Sequence, residues 1–431
     1  MPLRRLPRST ACTPRQQRGI ATLLVVMALF FLVSMVAAYT SRNLIFEQRT
    51  SANQYRATQA FEAAEGGVEW ALAQLNGSRV DASCATSTDI NRDTFRSRYL
   101  VFDLGRGTVS PQRWVSPDGP LRLAPGCSRT AAGWQCSCPS NGPPTLVGAD
   151  GGTVQPSFRV LFEGDTSTPG VLRVDVIGCT SPSETCLSLG QGSGNEAAAR
   201  LNVTLVMLPA LASTPAAALT VRGAVTLDTP AIAINDNAGT NGLSVHAGGL
   251  VQSGDITALS MPGSPGAGVI ADNDTAMANT PPDRFFAGFF GLSRAAFARQ
   301  PAVSSFTCRG GCGDSLRAHV RANPGRPIWV ADDLVIDSAG DIGTPDTPVL
   351  LVVNGQASWA TSGINLHGVV YAQGAAASNG SSANWVQGAL ISENAINAPT
   401  LPGTRYDANV IQRIRQQQGS VIRLPGGWRD F

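Results

Sequence analysis

The stretch RGIATLLVVMALFFLVSMVAAY, residues 18–39, decides the fold of this chain. From residue 20 onward, its apolar run is interrupted only by Thr22 and Ser34. At ~1.5 Å of rise per residue, a helix of this length crosses the ~30 Å apolar core of a bilayer. No proline occurs anywhere in residues 20–77, so the sequence predicts one long helix there, with residues 20–39 as its transmembrane part.

The second part of the predicted helix is amphipathic. Apolar side chains recur there at steps of three and four residues and form one stripe: Phe61, Ala64, Val68, Leu72 and Leu75. Three glutamates occupy other faces and indicate a solvated surface rather than a catalytic site: Glu62, Glu65 and Glu69. Each glycine of the Gly66-Gly67 pair costs ~1 kcal/mol of helix stability relative to alanine. The pair therefore predicts close packing against a sheet or another helix.

Charge is distributed unevenly along the chain. Residues 1–19 contain five arginines and no acid, which predicts a leader that stays in the cytoplasm while the bulk of the chain lies outside the inner membrane. Without that leader, 27 arginines face 30 acids, a formal charge of −3, and the chain has no lysine. Nucleic-acid binding therefore has little support, because phosphate contact needs a concentrated basic face. No cofactor motif is present.

Eight cysteines follow the predicted membrane helix, and an even number in an exported domain predicts disulfides. Two local bridges are favoured by spacing, Cys179–Cys186 around a TSPSET turn and Cys308–Cys312 around RGG. The Cys136-Ser-Cys138 pair is compatible with a redox or metal site, but bonds to Cys84 and Cys127 are favoured. Zinc would require a second close pair and usually histidine, and none lies near.

Residues 78–208 predict an antiparallel sheet domain. Three segments alternate apolar and polar residues as half-buried strands do: 157–164, 171–179 and 199–208. Shorter strands are expected at 98–104 and 113–116 within an irregular, cysteine-containing region. A sheet with one apolar face and a helix with one apolar stripe cover each other, so the predicted class is α+β, with the long helix packed on this sheet.

Residues 209–218, PALASTPAAA, predict a linker, and residues 219–431 a second, β-rich domain. Short strands alternate there with Gly, Asn and Asp turns. Gly-Val-Val-Tyr at 368–371 and Gly-Ala-Leu-Ile at 388–391 form a loose repeat. The pattern favours stacked, solenoid-like β-coils, a β-helix, and leaves a β-sandwich open.

Two helices are expected within the second domain. An insertion at about 281–299 carries a cluster of phenylalanines and predicts a helix that caps an open end of the β-stack; a partner-docking face is the alternative. Residues 406–418 predict a short basic helix that forms a lid on the last coil.

Several catalytic and metal-binding motifs fail on inspection. Gly313-Asp314-Ser315-Leu316 spells an esterase motif, but no histidine follows an aspartate at the spacing which that family needs. A Walker A loop needs lysine. Residues 235–242 depart from the EF-hand pattern and predict a turn. Solvated turn residues are favoured over a calcium or lyase site for Asp272, Asp274, Asp332 and Asp333. Packing is favoured over a glycan surface for Trp134, Trp329, Trp359 and Trp385, so no enzyme is predicted.

The basic leader ending in glycine, the apolar start after it and the single long helix together resemble the N-terminus of type IV pilins. The segment AFEAAEGGVEWAL, residues 60–72, resembles the PilX family of minor pilins in particular. The resemblance implies cleavage after Gly19 by a prepilin peptidase and methylation of Ile20 as the first mature residue. The rival processing schemes are a secretory signal cut after Ala38 and an uncut single-pass anchor.

The resemblance also implies a position in the filament. Most pilins carry glutamate at the fifth mature residue, which pairs with the terminal amine of a neighbouring subunit, whereas this chain has Leu24. PilX-like pilins and the K-type pseudopilin share this difference. It favours a rare subunit at or near the tip over a repeating one.

The expected function is therefore that of a PilX-type minor pilin in the initiating or tip complex of a type IV pilus. Expected partners are the prepilin peptidase, other minor pilins, the major pilin and a large tip adhesin. Its expected location is the inner membrane, with the C-terminus in the periplasm, and the cell-surface pilus. Two alternatives stay open: a K-type pseudopilin of type II secretion, and a membrane-tethered β-helical glycan-binding protein or enzyme.

Overall fold

The structure, a computed structural model, describes residues 18–116, 119–148, 154–165, 167–190, 196–262, 268–379 and 383–429. The chain groups into two compact units, Met1–Thr58 and Gln59–Phe431, and all packing described below lies within the second. The α-helices of the described residues are α1 (Arg18–Leu75), α2 (Phe95–Tyr99), α3 (Glu184–Leu189), α4 (Thr275–Ala278), α5 (Pro282–Phe290), α6 (Arg294–Ala298), α7 (Gly313–Ala322) and α8 (Ala408–Gln417).

The strands fall into an antiparallel and a parallel group. The first group is β1 (Leu100–Asp103), β2 (Thr108–Pro111), β3 (Arg113–Ser116), β4 (Gly119–Arg122), β5 (Gly126–Thr130), β6 (Gly133–Ser137), β7 (Ser157–Gly164), β8 (Val171–Cys179) and β9 (Ala198–Pro209). The second is β10 (Leu219–Val221), β11 (Val225–Leu227), β12 (Ala231–Asn235), β13 (Val245–Ala247), β14 (Ile256–Ser260), β15 (Ile270–Ala271), β16 (Ser304–Phe306), β17 (Ile328–Val330), β18 (Leu334–Ile336), β19 (Gly340–Ile342), β20 (Val349–Val353), β21 (Ala357–Trp359), β22 (Ile364–Ala372), β23 (Ala376–Ser378), β24 (Trp385–Ser392), β25 (Ile396–Ala398) and β26 (Gly403–Tyr406). A last strand, β27 (Gly419–Arg429), rejoins the first group.

The end of α1 packs on an antiparallel sheet, as predicted. The six strands of this sheet have the order β27-β9-β8-β7-β5-β6. Alternate residues of β7 and β9 enter the core, among them Phe162 and Leu205, and meet Val68 and Leu75 of the helix. The alternation in the sequence placed these strands correctly because each has one buried and one wetter face.

The first sheet is completed from the far end of the chain. β27 pairs antiparallel with β9, so residues 419–429 belong to the sheet that the sequence assigned to residues 78–208. Asn76 binds this strand twice: its side-chain amide donates to Val421 O at 2.9 Å, and Val421 N donates to Asn76 Oδ1 at 2.8 Å. The sequence placed this strand in the domain of residues 219–431, because only a long-range pairing decides which sheet it joins.

Arg96 ties three chain segments together at the same place. Its guanidinium donates to the carbonyls of Leu75, Gln417 and Gly419, which end α1, end α8 and begin β27. Burial lowers the pKa of Arg96 to about 10. Its hydrogen bonds satisfy helix-terminal carbonyls that have no partner within their own helices. Sequence reasoning missed this residue, because the three segments are distant along the chain.

The parallel strands form stacked, solenoid-like coils, as predicted. The pairings bring one aliphatic side chain of each successive coil into a single ladder: Ile328, Leu351, Val370, Leu390, Leu219, Val245 and Ile270. These residues lie within or against one apolar cluster inside the coils. A parallel sheet buried on both faces needs such near-continuous apolar strands.

The glycines of the loose sequence repeat face each other in the stack. Gly368 of β22 pairs with Gly388 of β24. A Cβ on Gly388, whose φ is +144°, would lie 2.0 Å from Gly368 O. The backbones approach too closely there for any side chain.

Chain order differs from stacking order. β10 pairs with β24 on one side and with β13 on the other, so the coil that comes first in sequence lies in the middle of the stack. From there the chain runs outward to β15. Residues 272–303 then lead to β16, at the opposite end of the strand order, and later coils build back toward the middle.

The connecting segments pack on the flank of the stack, not on its ends. On the outer face of β22, Tyr371 packs against Phe286 and Phe290 of α5, and Phe290 packs in turn against Phe297 of α6. The predicted end cap is therefore wrong. α8 packs on β22 and β24 in the same apolar cluster and is not a lid on the last coil. Residues 209–218 are not a free linker, because Ala210, Leu211, Ala217 and Ala218 are fully buried.

Candidate functional site

The first part of α1 is an exposed apolar surface. Its side chains from Ala21 to Thr50 are all exposed, and the helix is long and apolar enough to cross a membrane. Two hydroxyl groups within this stretch bond to the helix itself. Ser34 Oγ donates to Phe30 O at 2.7 Å, and Thr40 Oγ1 donates to Val36 O. Such local bonds let hydroxyl groups enter an apolar environment without an unsatisfied donor.

The predicted processing residues lie at the start of this helix. Gly19 and Ile20 are helical in backbone, and α1 begins at Arg18. Leu24 is exposed by 62% and contributes to the apolar surface. The expected leader, residues 1–19, lies outside the described residues except for its last two positions.

The second part of α1 lies close to the sheet through small residues. A Cβ on Gly67 would come within 2.7 Å of Val176 Cγ1 and 2.8 Å of Phe158 Cδ2. A Cβ on Gly178 of β8 would lie 2.1 Å from Ala60 O. The backbones of helix and strand are therefore in contact at Gly178. The same close approach leaves little room for a side chain at position 67, which explains why a glycine is tolerated there.

The two neighbouring glycines give a matched pair of substitutions. Gly66→Ala should raise the free energy of unfolding by about 0.5–1 kcal/mol, because a Cβ there meets nothing within 4 Å and alanine favours the helix. Gly67→Ala should lower it by about 1–3 kcal/mol, because the new methyl group overpacks the contact with Phe158 and Val176. Denaturant unfolding of both variants checks this; equal effects would contradict close packing at Gly67.

The outward face of the same helical segment is acidic. Glu62, Glu65 and Glu69 are exposed, as predicted for a solvated face. Glu69 Oε1 lies 2.5 Å from Arg423 of β27, and both side chains are substantially exposed. An exposed pair of this kind contributes at most about 1 kcal/mol. The three glutamates therefore lie on the solvent-exposed side of α1, from which Glu69 reaches the edge strand of the sheet.

Four disulfides brace the second unit. The structure joins Cys179 to Cys186 and Cys308 to Cys312, the two local pairs favoured by spacing. It also joins Cys84 to Cys138 and Cys127 to Cys136. Cys136 and Cys138 are thus each bonded to a different strand or loop, not to each other. No group of three or more metal-ligating side chains is positioned for a metal ion in the described ranges.

The esterase-like motif does not form a nucleophile site. Ser315 lies in the first turn of α7, and its hydroxyl donates to Cys312 O at 3.0 Å. His319 on the same helix is hydrogen-bonded to the hydroxyl of Ser304 instead, at 2.7 Å. Serine and histidine therefore have separate structural partners.

His319 predicts a pH dependence of stability. Burial, together with the charge of Arg326, lowers the pKa of His319 below 6.5. Between the lowered pKa and 6.5, the unfolded chain therefore binds more protons than the folded chain. The free energy of unfolding is highest above this pH window and decreases as pH falls through it. His319→Gln should flatten the dependence between about pH 7 and pH 5. Urea midpoints across that range test this, and parallel profiles for both proteins would contradict it.

The other candidate carboxylates have structural roles. Asp274 caps α4 through the amides of Ala276 and Met277 and lies 2.9 Å from His246 Nε2. Asp272 accepts a hydrogen bond from Val251 N. Asp333 accepts one from Gln356 N at 2.7 Å.

The loop at 235–242 is a turn. The buried side chain of Asn235 donates to Thr240 Oγ1 and to Leu243 O. The oxygen-rich loop therefore organises its own backbone, as the sequence predicted.

Three of the four candidate tryptophans lie in different surroundings. Trp359 is fully buried inside the coils, and Trp329 packs against Phe297 on the outer flank. Trp134 is 46% exposed and packs on Phe158. These placements agree with packing roles.

Comparisons with known proteins address the helix. Residues 18–69 match the model of the PilX N-terminal family. Among solved structures, one that resembles the chain is the competence-associated pilin ComZ from Thermus thermophilus, at 11% identity and a TM-score of 0.21, over 87% of this chain and 98% of that one. A TM-score this low does not establish a shared overall fold. No curated protein sequence matches the chain. The exposed apolar surface of α1 thus lies within a segment, residues 18–69, that is similar to the PilX N-terminal family.

Proposed function

We propose that this protein is a minor pilin of PilX type that takes part in type IV pilus assembly, in the initiating complex at the filament tip. The observation that carries the proposal is the fully exposed apolar surface of α1 within the segment that matches the PilX N-terminal family. Such a surface requires lipid or other apolar helices around it. The membrane supplies the lipid before assembly, and the filament core supplies the surrounding pilin helices afterwards.

Leu24 supports a position at the tip. A helix that leaves lipid for a filament core exchanges one apolar setting for another, and with Leu24 it brings no charge that needs a partner there. The residue also lacks the carboxylate that would pair with the terminal amine of a preceding subunit. A subunit that begins the filament has no such subunit to pair with.

The size of the second unit supports the same position. Gln59–Phe431 carries a complete stack of β-coils in addition to the sheet on which α1 packs. A subunit at the end of a filament has neighbours on one side only, so it has room for an added domain. Other minor pilins and the major pilin are the expected partners through α1, and a large tip adhesin is a further one.

Processing at the start of α1 is part of the proposal. The prepilin peptidase would cut after Gly19, and Ile20 would carry the methylated amine. The arginines of the leader support a cytoplasmic N-terminus, and four disulfides support a periplasmic second unit.

Mass spectrometry of the N-terminal residue of protein recovered from membranes tests the processing. A chain that starts at methylated Ile20 is expected, and Gly19→Val should leave it uncut while Gly66→Ala is processed normally. A start at Tyr39, or an intact Met1, would contradict pilin-type processing.

Deleting the gene tests the role. Loss of surface pili, restored by the wild-type protein, is expected, with the protein present at far lower abundance than the major pilin in sheared filaments. Loss of protein secretion with pili intact would instead favour a K-type pseudopilin. Glycan cleavage by the full-length protein in detergent, with pili unaffected, would favour the tethered β-helical alternative.

A further inference from the structure

Two adjoining cavities in the second unit are lined by arginines from distant parts of the chain. The larger, about 610 Å³, is lined by Arg79, Arg96, Arg98, Arg113 and Arg326. The smaller, about 260 Å³, shares Arg79 and Arg326 and adds Arg317 and Arg321. Because they share these residues, the two cavities lie side by side, and together they are called the arginine cleft below.

Positive charge in the arginine cleft is not balanced locally. Seven arginines face two lining acids, Asp93 and Asp341, which leaves a formal charge of +5. Residues 59–431 as a whole hold 24 arginines against 29 acids, a formal charge of −5. The cleft is therefore strongly cationic on a protein unit that is otherwise acidic. Such concentration focuses the field onto an anionic ligand.

Few of these arginines are neutralised by an ion pair within the chain. Arg98 lies 4.0 Å from Asp93, and Arg317 lies 2.6 Å from Asp314. In the part of the chain that the structure describes, the other five arginines form no ion pair with a carboxylate: Arg79, Arg96, Arg113, Arg321 and Arg326. Arg326 binds the carbonyls of Ala302 and Val303, and its charge also helps to lower the pKa of Arg96.

The arginines of the cleft fall into two groups, held and exposed. Arg96, Arg98 and Arg326 are held by backbone carbonyls and supply fixed positive charge. Arg113 and Arg321 are exposed, one at each cavity. An exposed guanidinium group can bind a carboxylate by paired hydrogen bonds.

Apolar residues in the walls of the cleft restrict which ligands match it. Leu100, Val101, Phe102 and Leu123 line the larger cavity beside the arginines, and Val101 is 45% exposed. A ligand that matches both surfaces carries carboxylates at some positions and apolar groups at others. Peptides with alternating acidic and aliphatic side chains have this composition, whereas polyuronate chains and phosphate backbones carry no aliphatic side chains.

We propose that the arginine cleft binds an acidic segment of a partner protein, in which carboxylates meet Arg113 and Arg321 and aliphatic side chains meet Val101 and Phe102. None of the residues that line this site belongs to α1, and the site does not depend on how the N-terminus is processed. It adds a second, electrostatic contact surface to a protein whose helix provides an apolar one.

Fluorescence anisotropy on the full-length protein in nonionic detergent tests the site, with a labelled short peptide of alternating Glu and Val as the probe. Binding that weakens as salt is raised is expected, together with no binding of the matching Gln and Val peptide. Arg113→Gln with Arg321→Gln should weaken binding about tenfold or more, since two charge-assisted contacts are lost.

Two control proteins keep the result interpretable. Arg129→Gln with Arg309→Gln removes two exposed arginines outside the cleft and should bind as the wild type does. Arg113→Lys with Arg321→Lys keeps the charge and should recover part of the affinity. Equal binding by the cleft and control variants would overturn the proposal. So would tighter binding of polygalacturonate, polyphosphate or single-stranded nucleic acid than of the acidic peptide.

Discussion

Replacing Cys84 and Cys138 together by serine should lower the free energy of unfolding by about 4 kcal/mol. The disulfide between them closes a loop with a sequence separation of 54 residues, which greatly restricts the unfolded chain. Both sulfurs also lie in the apolar cluster beneath α1, where the two residues are 5% and 1% exposed. Denaturant unfolding of the oxidised proteins, measured by far-ultraviolet circular dichroism, gives the difference directly.

The bridge between Cys308 and Cys312 is the matched control. Its residues are buried to a similar degree, 8% and 4% exposed, but their sequence separation is only 4. The corresponding double serine variant should lose about 2 kcal/mol, roughly half the larger effect. If both variants lose the same amount, buried sulfur packing rather than loop closure determines what these disulfides contribute.

Local patterns in the sequence were sufficient for the elements of the first sheet. The strands predicted at 157–164 and 171–179 have the observed bounds, and the one predicted at 199–208 differs by a single residue at each end. The long helix and its contact with the sheet also follow from local periodicity. In each case one face of the element is buried and the other is not, so the pattern is written within the segment itself.

Local sequence patterns did not predict the pairings between distant segments. β10 pairs with β24 across roughly 170 residues, and β27 pairs with β9. The apolar pattern of a strand predicts the strand but not the strand with which it pairs. Burial on both faces makes β20 uniformly apolar, which hides its register. The arginine cleft is a further case. Its members are scattered between residues 79 and 326, so the sequence showed a slightly acidic chain where the fold creates a cationic site.

Glu393→Leu should lower the free energy of unfolding by about 3 kcal/mol. Glu393 is 2% exposed and lies where the coils meet the helices on their flank. Its carboxylate accepts hydrogen bonds from Arg294, at 2.7 Å, and from the hydroxyl of buried Tyr371. Leucine would leave a largely buried cation and a buried hydroxyl without an acceptor. The exposed Asp283, 3.8 Å from Arg294, compensates only in part.

A double-mutant cycle with Arg294→Met separates the ion pair from the packing around it. Burial lowers the pKa of Arg294, but Glu393 and Tyr371 together outweigh burial and raise it. The guanidinium also lies 4.7 Å from the ring centre of Phe286, so Met keeps an apolar contact while the charge is removed. The double variant should therefore be more stable than Glu393→Leu alone, because no unpaired charge remains buried. A double variant that loses the sum of both single losses would show that the two side chains stabilise the junction independently.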